Sequence, residues 1–367
     1  MHFEGKSAAV KSVARAHELA AAGAALGCSD SKGVLGWLTY TGSGVPKNKP
    51  PGEQLMRESA DAGSAWGQWA LGHLYYGTQN FVEAARYYRM AAEQGQSDAQ
   101  FNLGDLYQDG LGVAQDDSEA VRYFRMAAEQ GYADAQYNLG CMYEEGQGVA
   151  QDDNEALRYY RMAADQGQSD AQYNLGSIYE DGTRVAQDYS EALRYFRMAA
   201  DQGHADAQVN IGYMFEVANG VAQDYSEALR YYRMAAEQGN STAQDNLGEM
   251  YQDGKGVAQD FTEAVRYFRM AAEQGNSHAQ DHLGSMYKNG RGVTQDDSEA
   301  LRYWRLAADQ GHADAQVNTG NMFHSRVLMV LLRMTVKLFA ITSWLQSKVI
   351  QTRKAVSNTC LRMVVRI

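Results

Sequence analysis

Across residues 97–132, apolar positions recur with a helical period twice, on either side of a short glycine-bearing stretch. The segment reads SDAQFNLGDLYQDGLGVAQDDSEAVRYFRMAAEQGY. At about 100° per residue, Ala99, Gln100, Leu103, Gly104, Leu106 and Tyr107 share one arc of a first helix, predicted over 98–108. Phe101, Asn102, Asp105 and Gln108 share the other arc. Gly104 costs a helix interior about 1 kcal/mol relative to Ala, and its return is close approach by a neighbouring helix. Gly110 is placed to stop the helix, because glycine adopts positive φ most easily. Gly112 and Val113 then turn the chain, and Asp116 and Asp117 stand where an N-cap and a favourable dipole charge are wanted. The second helix, predicted over 118–130, puts Ala120, Val121, Tyr123, Phe124, Ala127 and Ala128 on one side. Arg122, Arg125 and Glu129 take the other, and Gly131 ends it.

The chain then repeats itself. Gln100 returns as Gln136, Gln172, Gln208, Gln244, Gln280 and Gln316, at a spacing of 36 residues. A fixed period of this size marks a stacked repeat architecture. Helices of a dozen residues are marginal alone in water. One pair cannot cover its own apolar stripe, so the repeats must fold as an array.

Before residue 97 the register is looser. Residues 1–28 read as a capping half repeat, with Gly27 at the place of Gly131; alternatively, the chain starts inside a larger parent. The array proper is read as 29–324, eight helical pairs plus the first helix of a ninth. In the first repeat, 29–64, the stretch from Pro46 to Pro51 reads as a stiff basic loop. The second, 65–96, is four residues short in its turn, with Gly77, Gln79 and Asn80 there. Later departures are few: Arg184 stands where Gly112 does, and Ala218 where Gly110 does, which makes Asn219 the candidate for left-handed backbone.

The pattern A-x-x-x-LG-x-x-Y-x-x-G-x-G-V-x-x-D-x-x-x-A-x-x-Y-x-x-x-AA-x-x-G, running from Ala99 to Gly131 and repeated many times, resembles the Sel-1-like repeat family, relatives of the tetratricopeptide repeats. The resemblance covers about 25–324. It implies an α-superhelix acting as adaptor or scaffold, with no catalysis in the repeats themselves. The expected fold is therefore all-α, a right-handed superhelical α-solenoid of 36-residue helix–turn–helix repeats.

Cysteine and charge narrow the function classes. Cys28, Cys141 and Cys360 are three, without metal spacing, so neither a disulfide framework nor a zinc site is expected. Some members of the family carry paired cysteines in each repeat, and this chain departs from that. Cys141 reads as a helix-surface thiol. Residues 1–11 lack the apolar run of a secretion signal, which leaves the cytoplasm as the expected location. All 45 acidic residues precede residue 325, against 25 of the 33 basic ones, a net −20 for 1–324. Such an array repels phosphate backbones, so nucleic acid is not expected as a partner. His204, His278, His282 and His312 sit on repeat surfaces, mostly where another repeat has Tyr, Gln or Asn. Calcium ligand order is absent around Asp116 and Asp117, which read as caps. No cofactor is expected.

What varies against the repetition is the outer arc of the first helix. Phe101 becomes Tyr137, Tyr173, Val209, Asp245, Asp281 and Val317. Asp105 becomes Cys141, Ser177, Tyr213, Glu249, Ser285 and Asn321, and Gln108 becomes Glu144, Glu180, Glu216, Gln252, Lys288 and His324. These positions, at i, i+4 and i+7, form one stripe. Because first helices line the concave groove of such solenoids, Phe101, Asp105, Gln108, Tyr137, Glu144, Tyr173, Glu180, Tyr213, Asp245, Glu249 and Asp281 are the candidate partner-binding residues, with the aromatics taken as exposed contact residues. Simple surface drift is the competing explanation. The expected function is a monomeric adaptor binding a protein or peptide in that groove. A hydrolase-like activity of the kind claimed for cysteine-rich relatives, and a degenerate family member without function, are the alternatives.

The tail, 325–367, drops the period, has eight basic residues and no acidic one. Its apolar run, 327–345, carries Arg333 and Lys337 mid-way, each costly in a bilayer, so no membrane span is expected; a basic amphipathic helix on an anionic surface is an alternative. Read one nucleotide earlier with free choice of synonymous codons, 329–342 can yield GVAQDDSEALRYY and 344–353 can yield AAEQGNSDA, the repeat in register and order. The tail is thus hypothesised to be a frameshifted repeat with no native fold, through an insertion or deletion near His324 in the gene or gene model. Transcript codons giving no repeat in the shifted frame would end that idea.

Overall fold

A computed structural model describes residues 2–364, with side chains over 13–324 and 327–348. Among the described residues every regular element is a helix: His2–Ala25, then sixteen helices of 13 residues each, then Ala313–Val364. The repeat read from residues 97–132 consists of Ser97–Asp109 and Asp117–Glu129, within a residue of the sequence expectation at each end. The chain divides into two compact units, residues 1–214 with 218–222, and residues 215–217 with 223–367.

Inside each unit the core belongs to neighbouring repeats jointly. In the first, Ala84, Ala85, Tyr88, Ala91 and Ala92 of one second helix pack on Ala99, Leu103 and Leu106 of the next first helix, and Tyr123 closes the cluster. In the second, Ala264, Val265, Phe268, Ala271 and Ala272 meet Ala279, Leu283, Met286 and Tyr303 in the same way. No single pair buries its own stripe. The glycine of the first helix sits where a ring of the second helix crosses: a Cβ on Gly104 would lie 2.6 Å from the Phe124 ring, and on Gly248, 2.5 Å from Phe268.

The recurring glutamine, whose role the sequence leaves open, is a buried bracket. Gln172 is 2 % exposed; its Nε2 donates to the Ala164 carbonyl of the preceding repeat at 3.0 Å. Its Oε1 accepts from Gln202 Nε2, beyond the second helix of its own repeat, at 2.8 Å. The same bracket recurs at Gln100, Gln136, Gln244 and Gln280. It ties two repeats through carbonyls that a helix end leaves without an intrahelical partner.

Turn chemistry follows the sequence in most places. Asp116 Oδ1 accepts from the Ser118 and Glu119 amides at 3.0 and 3.1 Å, so these loop acids are caps. Gly110 takes φ 68° and its amide returns to the Leu106 carbonyl. In the sixth repeat the expectation for Asn219 fails. Ala218 itself takes φ 65°, with its amide on Met214 O, because the closing hydrogen bond fixes which residue is left-handed whatever its side chain. Arg184 keeps φ negative, unlike Gly112 at φ 70°. In the shortened second repeat Gln79 takes the left-handed position, φ 61°. The stretch from Pro46 to Pro51 is not all loop: Pro50 and Pro51 lie in the first turn of Lys49–Asp61, where a missing amide costs a helix nothing.

At the C-terminal end Arg326 stands at the place of Gly110, and the helix that begins at Ala313 runs on to Val364. Ala315 and Met322 are buried, whereas Leu332 and Phe339 are 65 % and 76 % exposed. By length and composition alone, Ala313–Lys348 is long and apolar enough to cross a membrane: its most apolar 18-residue window has a mean hydropathy of 1.6, and none of that window is buried. Such a helix, taken singly, is weak evidence for a span, and Arg333 and Lys337 lie within it.

Candidate functional site

The first helix buries Ala99, Gln100, Leu103, Gly104 and Leu106, which leaves positions 101, 105 and 108 on the opposite arc, as the period requires. These positions are nevertheless not a free surface. Phe101 is half-buried, its ring 5.0 Å from Tyr132 in a stacked pair and 5.7 Å from the buried Phe124. Tyr173 stacks on His204 at 4.7 Å and tilts over Phe196 at 5.8 Å. Tyr137 leans over Tyr160 at 5.9 Å, and burial pushes its hydroxyl pKa up. The expectation that the aromatics are exposed is therefore corrected. Each is a wedge over the buried ring of its own second helix; in the third and fifth repeats it also meets the residue that caps the next first helix.

The acids are equally engaged. Asp105 accepts from Asn138 Nδ2 at 3.5 Å, and burial, helped by Asp109 and Asp134, raises its pKa to about 7. Glu144 accepts from the Tyr160 hydroxyl and pairs with Arg184, which also reaches Asp153 at 3.2 Å. Glu216 repeats this role, taking the Tyr232 hydroxyl at 3.0 Å and Lys255 at 3.2 Å. Burial raises the Glu180 carboxyl. Asp281 accepts from Asn318 at 3.2 Å, and Gln108 is half-buried. Only Tyr213 stands clear, 49 % exposed. Cys141 is half-buried rather than a surface thiol; burial lifts its pKa, and its sulfur lies 3.4 Å from the Tyr160 hydroxyl oxygen. Cys28 is exposed, and the Cys360 side chain lies outside those described.

Small clefts open along this arc. One is lined by His73, Tyr76, Tyr88, Asn102 and Asp105; another by Glu144, Asn174, Ser177, Asp181 and Arg184; a third by Lys288, Trp304, Asn318 and Asn321. The position of Asn102, not among the candidates drawn from the sequence, contributes to all three. That position also contributes to the one group of three close metal-ligating side chains among the described residues. His282, on Ser277–Asn289, brings Nε2 to 2.9 Å from Glu249 Oε1 and 4.0 Å from Asp245 Oδ1, both on Ser241–Asp253. Burial would lower His282, but the hydrogen bond to Glu249 and the charge of Asp245 outweigh it and raise its pKa. Glu249 is lowered by that hydrogen bond, and Asp245 is pushed up to about 7 by burial, against the pull of His282. His282 is thus not a plain surface residue. The signal for it in the sequence was three departures from the repeat, two of them four apart and the third in the next repeat.

Asp105 supplies a test of this burial. Its folded pKa, about 7, lies above the unfolded value of about 3.9, so the ionised form is the one the fold disfavours. The destabilisation is complete above pH 7 and fades as pH falls toward 4. Asp105→Asn is expected to stabilise the protein by about 1–3 kcal/mol at pH 8 and by nothing measurable at pH 4, read from urea unfolding midpoints. An equal gain at both pH values would show the carboxyl to be solvated.

The family model for the Sel1 repeat matches residues 34–64, 67–96, 97–132, 133–168, 169–204, 205–240, 241–276 and 277–312. Among solved structures, a protective antigen present in uropathogenic Escherichia coli strains, described as displaying an SLR fold, is 34% identical, with TM-score 0.74, over 85% of this chain and 68% of its own. A Sel1 repeat protein from Oxalobacter formigenes is also 34% identical, with TM-score 0.61, over 65% of this chain and 98% of its own. Eight matched repeats, whose helix pairs share cores with their neighbours inside each unit, place the chain in the Sel1 repeat family of all-α solenoid proteins.

Proposed function

We propose that the protein is an interaction scaffold that binds a protein or peptide along the outer arc of its first helices. The observation that carries this reading is where the repeats differ. Second helices are near copies (RYYRMAA at both 158–164 and 230–236), while position 105 changes from each repeat to the next and positions 101 and 108 each take four residue types along the array. The clefts lie on the same arc. Half-buried rings and paired acids there form a relief of fixed shape, which lowers the entropic cost of binding. The net charge of residues 1–324 favours a basic over an acidic partner.

Phe101 and Tyr173 are poor probes, since truncating them removes packing as well as contact. Tyr213 is the cleaner one, because Ser177 and Ser285 occupy its place in other repeats. With a partner captured from cell extract and then purified, Tyr213→Ser is expected to weaken calorimetric binding at least tenfold, about 1.4 kcal/mol, with an unchanged melting temperature. Undiminished affinity would remove Tyr213 and its arc from the binding surface.

A further inference from the structure

We propose that Asp245, Glu249 and His282 bind a divalent first-row transition-metal cation, for which zinc is the representative probe. One oxygen from each carboxylate and an imidazole nitrogen lie within 4.8 Å of one another. Asp245 is only 6 % exposed, and its Oδ1 finds no hydrogen-bond partner although it is aimed at the cluster. A buried, unpartnered carboxylate oxygen is costly, and a cation is the ligand that removes the cost for both carboxylates at once. His282 Nε2 serves Glu249 at 2.9 Å but stays 4.0 Å from Asp245. It therefore leaves Asp245 unsatisfied.

The repeats themselves supply the control. At these three positions the neighbouring repeats place Val209, Tyr213 and Asn246, or Asp281, Ser285 and Asn318. Only between the repeats of residues 241–276 and 277–312 do all three positions carry metal-ligating side chains. Two separate helices thus depart from the repeat at places that meet in space. Mixed imidazole and carboxylate donors suit zinc or its neighbours rather than magnesium or calcium. Three protein ligands leave the open position typical of a site that also takes water or a partner's side chain. The ring of His282 is held by stacking on Phe268 at 4.6 Å, which presents Nε2 to the carboxylates. Zinc–ligand distances of about 2.1 Å require ligand atoms roughly 3.4 Å apart in a tetrahedron. Asp245 therefore has to close by about 0.6 Å on His282 and by up to about 1.4 Å on Glu249, while His282 and Glu249 part by about 0.5 Å, changes that side-chain rotation supplies.

The test is isothermal titration of the full chain, freed of metal by chelator, with Zn²⁺ at pH 7.5, alongside thermal unfolding. One saturable equivalent and a raised melting temperature are expected. His282→Asn restores the residue of the neighbouring repeats, so it is expected to fold, shown by an unchanged helical circular dichroism. It should lose that equivalent or bind at least tenfold more weakly. Should it misfold, Asp245→Asn, an isostere, is expected to show the same loss. The His278–His312 pair, 3.2 Å apart, is a second place where zinc can attach, and His278→Ser is expected to leave the equivalent intact. No saturable binding by the full chain, or binding that survives both His282→Asn and Asp245→Asn, would overturn the site.

Discussion

Gly140→Leu is expected to destabilise the first unit by about 3 kcal/mol. A Cβ at Gly140 would stand 2.5 Å from two atoms of the Tyr160 ring, and Tyr160 is fully buried. Overpacking of this kind costs about 1–3 kcal/mol before any relaxation. The ring cannot retreat freely, because its hydroxyl donates to the Glu144 carboxylate, with the Cys141 sulfur beside it; losing that hydrogen bond to a carboxylate adds about 2 kcal/mol. Removing a glycine from a helix returns about 1 kcal/mol, which leaves the clash dominant. The core that holds Tyr160 also holds Ala156, Ala171, Leu175 and Tyr195, so the damage belongs to the two repeats spanning 133–204. Urea unfolding measures the loss, and hydrogen exchange locates it. Faster exchange in 65–96 equal to that in 133–168 would contradict nearest-neighbour coupling. Gly140→Ala is expected to lose stability too, although the same change at an exposed helix position gains it.

The ease with which the fold is read, and the difficulty with which the site is read, share a cause. Repetition turns helix boundaries, caps and the Gly104-type crossing into signals seen many times, so noise at one copy is outvoted. Ala218 shows the limit: the turn's hydrogen bond, set by the helix before it, decides the left-handed residue, and local preference for Asn219 is overridden. Pro50 shows another, since a proline in a first helical turn looks in sequence like one in a loop. For the arc of positions 101, 105 and 108, periodicity says which way side chains leave the helix but not what the next repeat lays over them. Tyr132 and His204 belong to the following repeats and cover Phe101 and Tyr173. The grouping of His282 with Asp245 and Glu249 stays hidden for the same reason. The histidine's partners lie 33 and 37 residues earlier, a distance that means contact only once the stacking is known.

Gln172→Glu is expected to be the most damaging single-atom change in the array, and the most sensitive to pH. The native amide sits 2 % exposed between an acceptor, Ala164 O at 3.0 Å, and a donor, Gln202 Nε2 at 2.8 Å. An ionised glutamate would keep the Gln202 bond but turn a second oxygen toward the Ala164 carbonyl. Burying a charge against an acceptor costs several kcal/mol, more than the about 1–3 kcal/mol of Gln172→Leu, which only leaves two neutral groups unpaired. Protonated, the same side chain donates to Ala164 and accepts from Gln202, reproducing the bracket. Its folded pKa therefore rises above the unfolded value of about 4.3, so the stability lost at pH 8 returns as pH falls through the folded pKa. Urea midpoints at pH 8 and pH 5 are expected to place the glutamate variant below the leucine variant at the first and above it at the second. The same order at both would show that water reaches the bracket, and that the glutamine recurs for a reason other than buried hydrogen bonding.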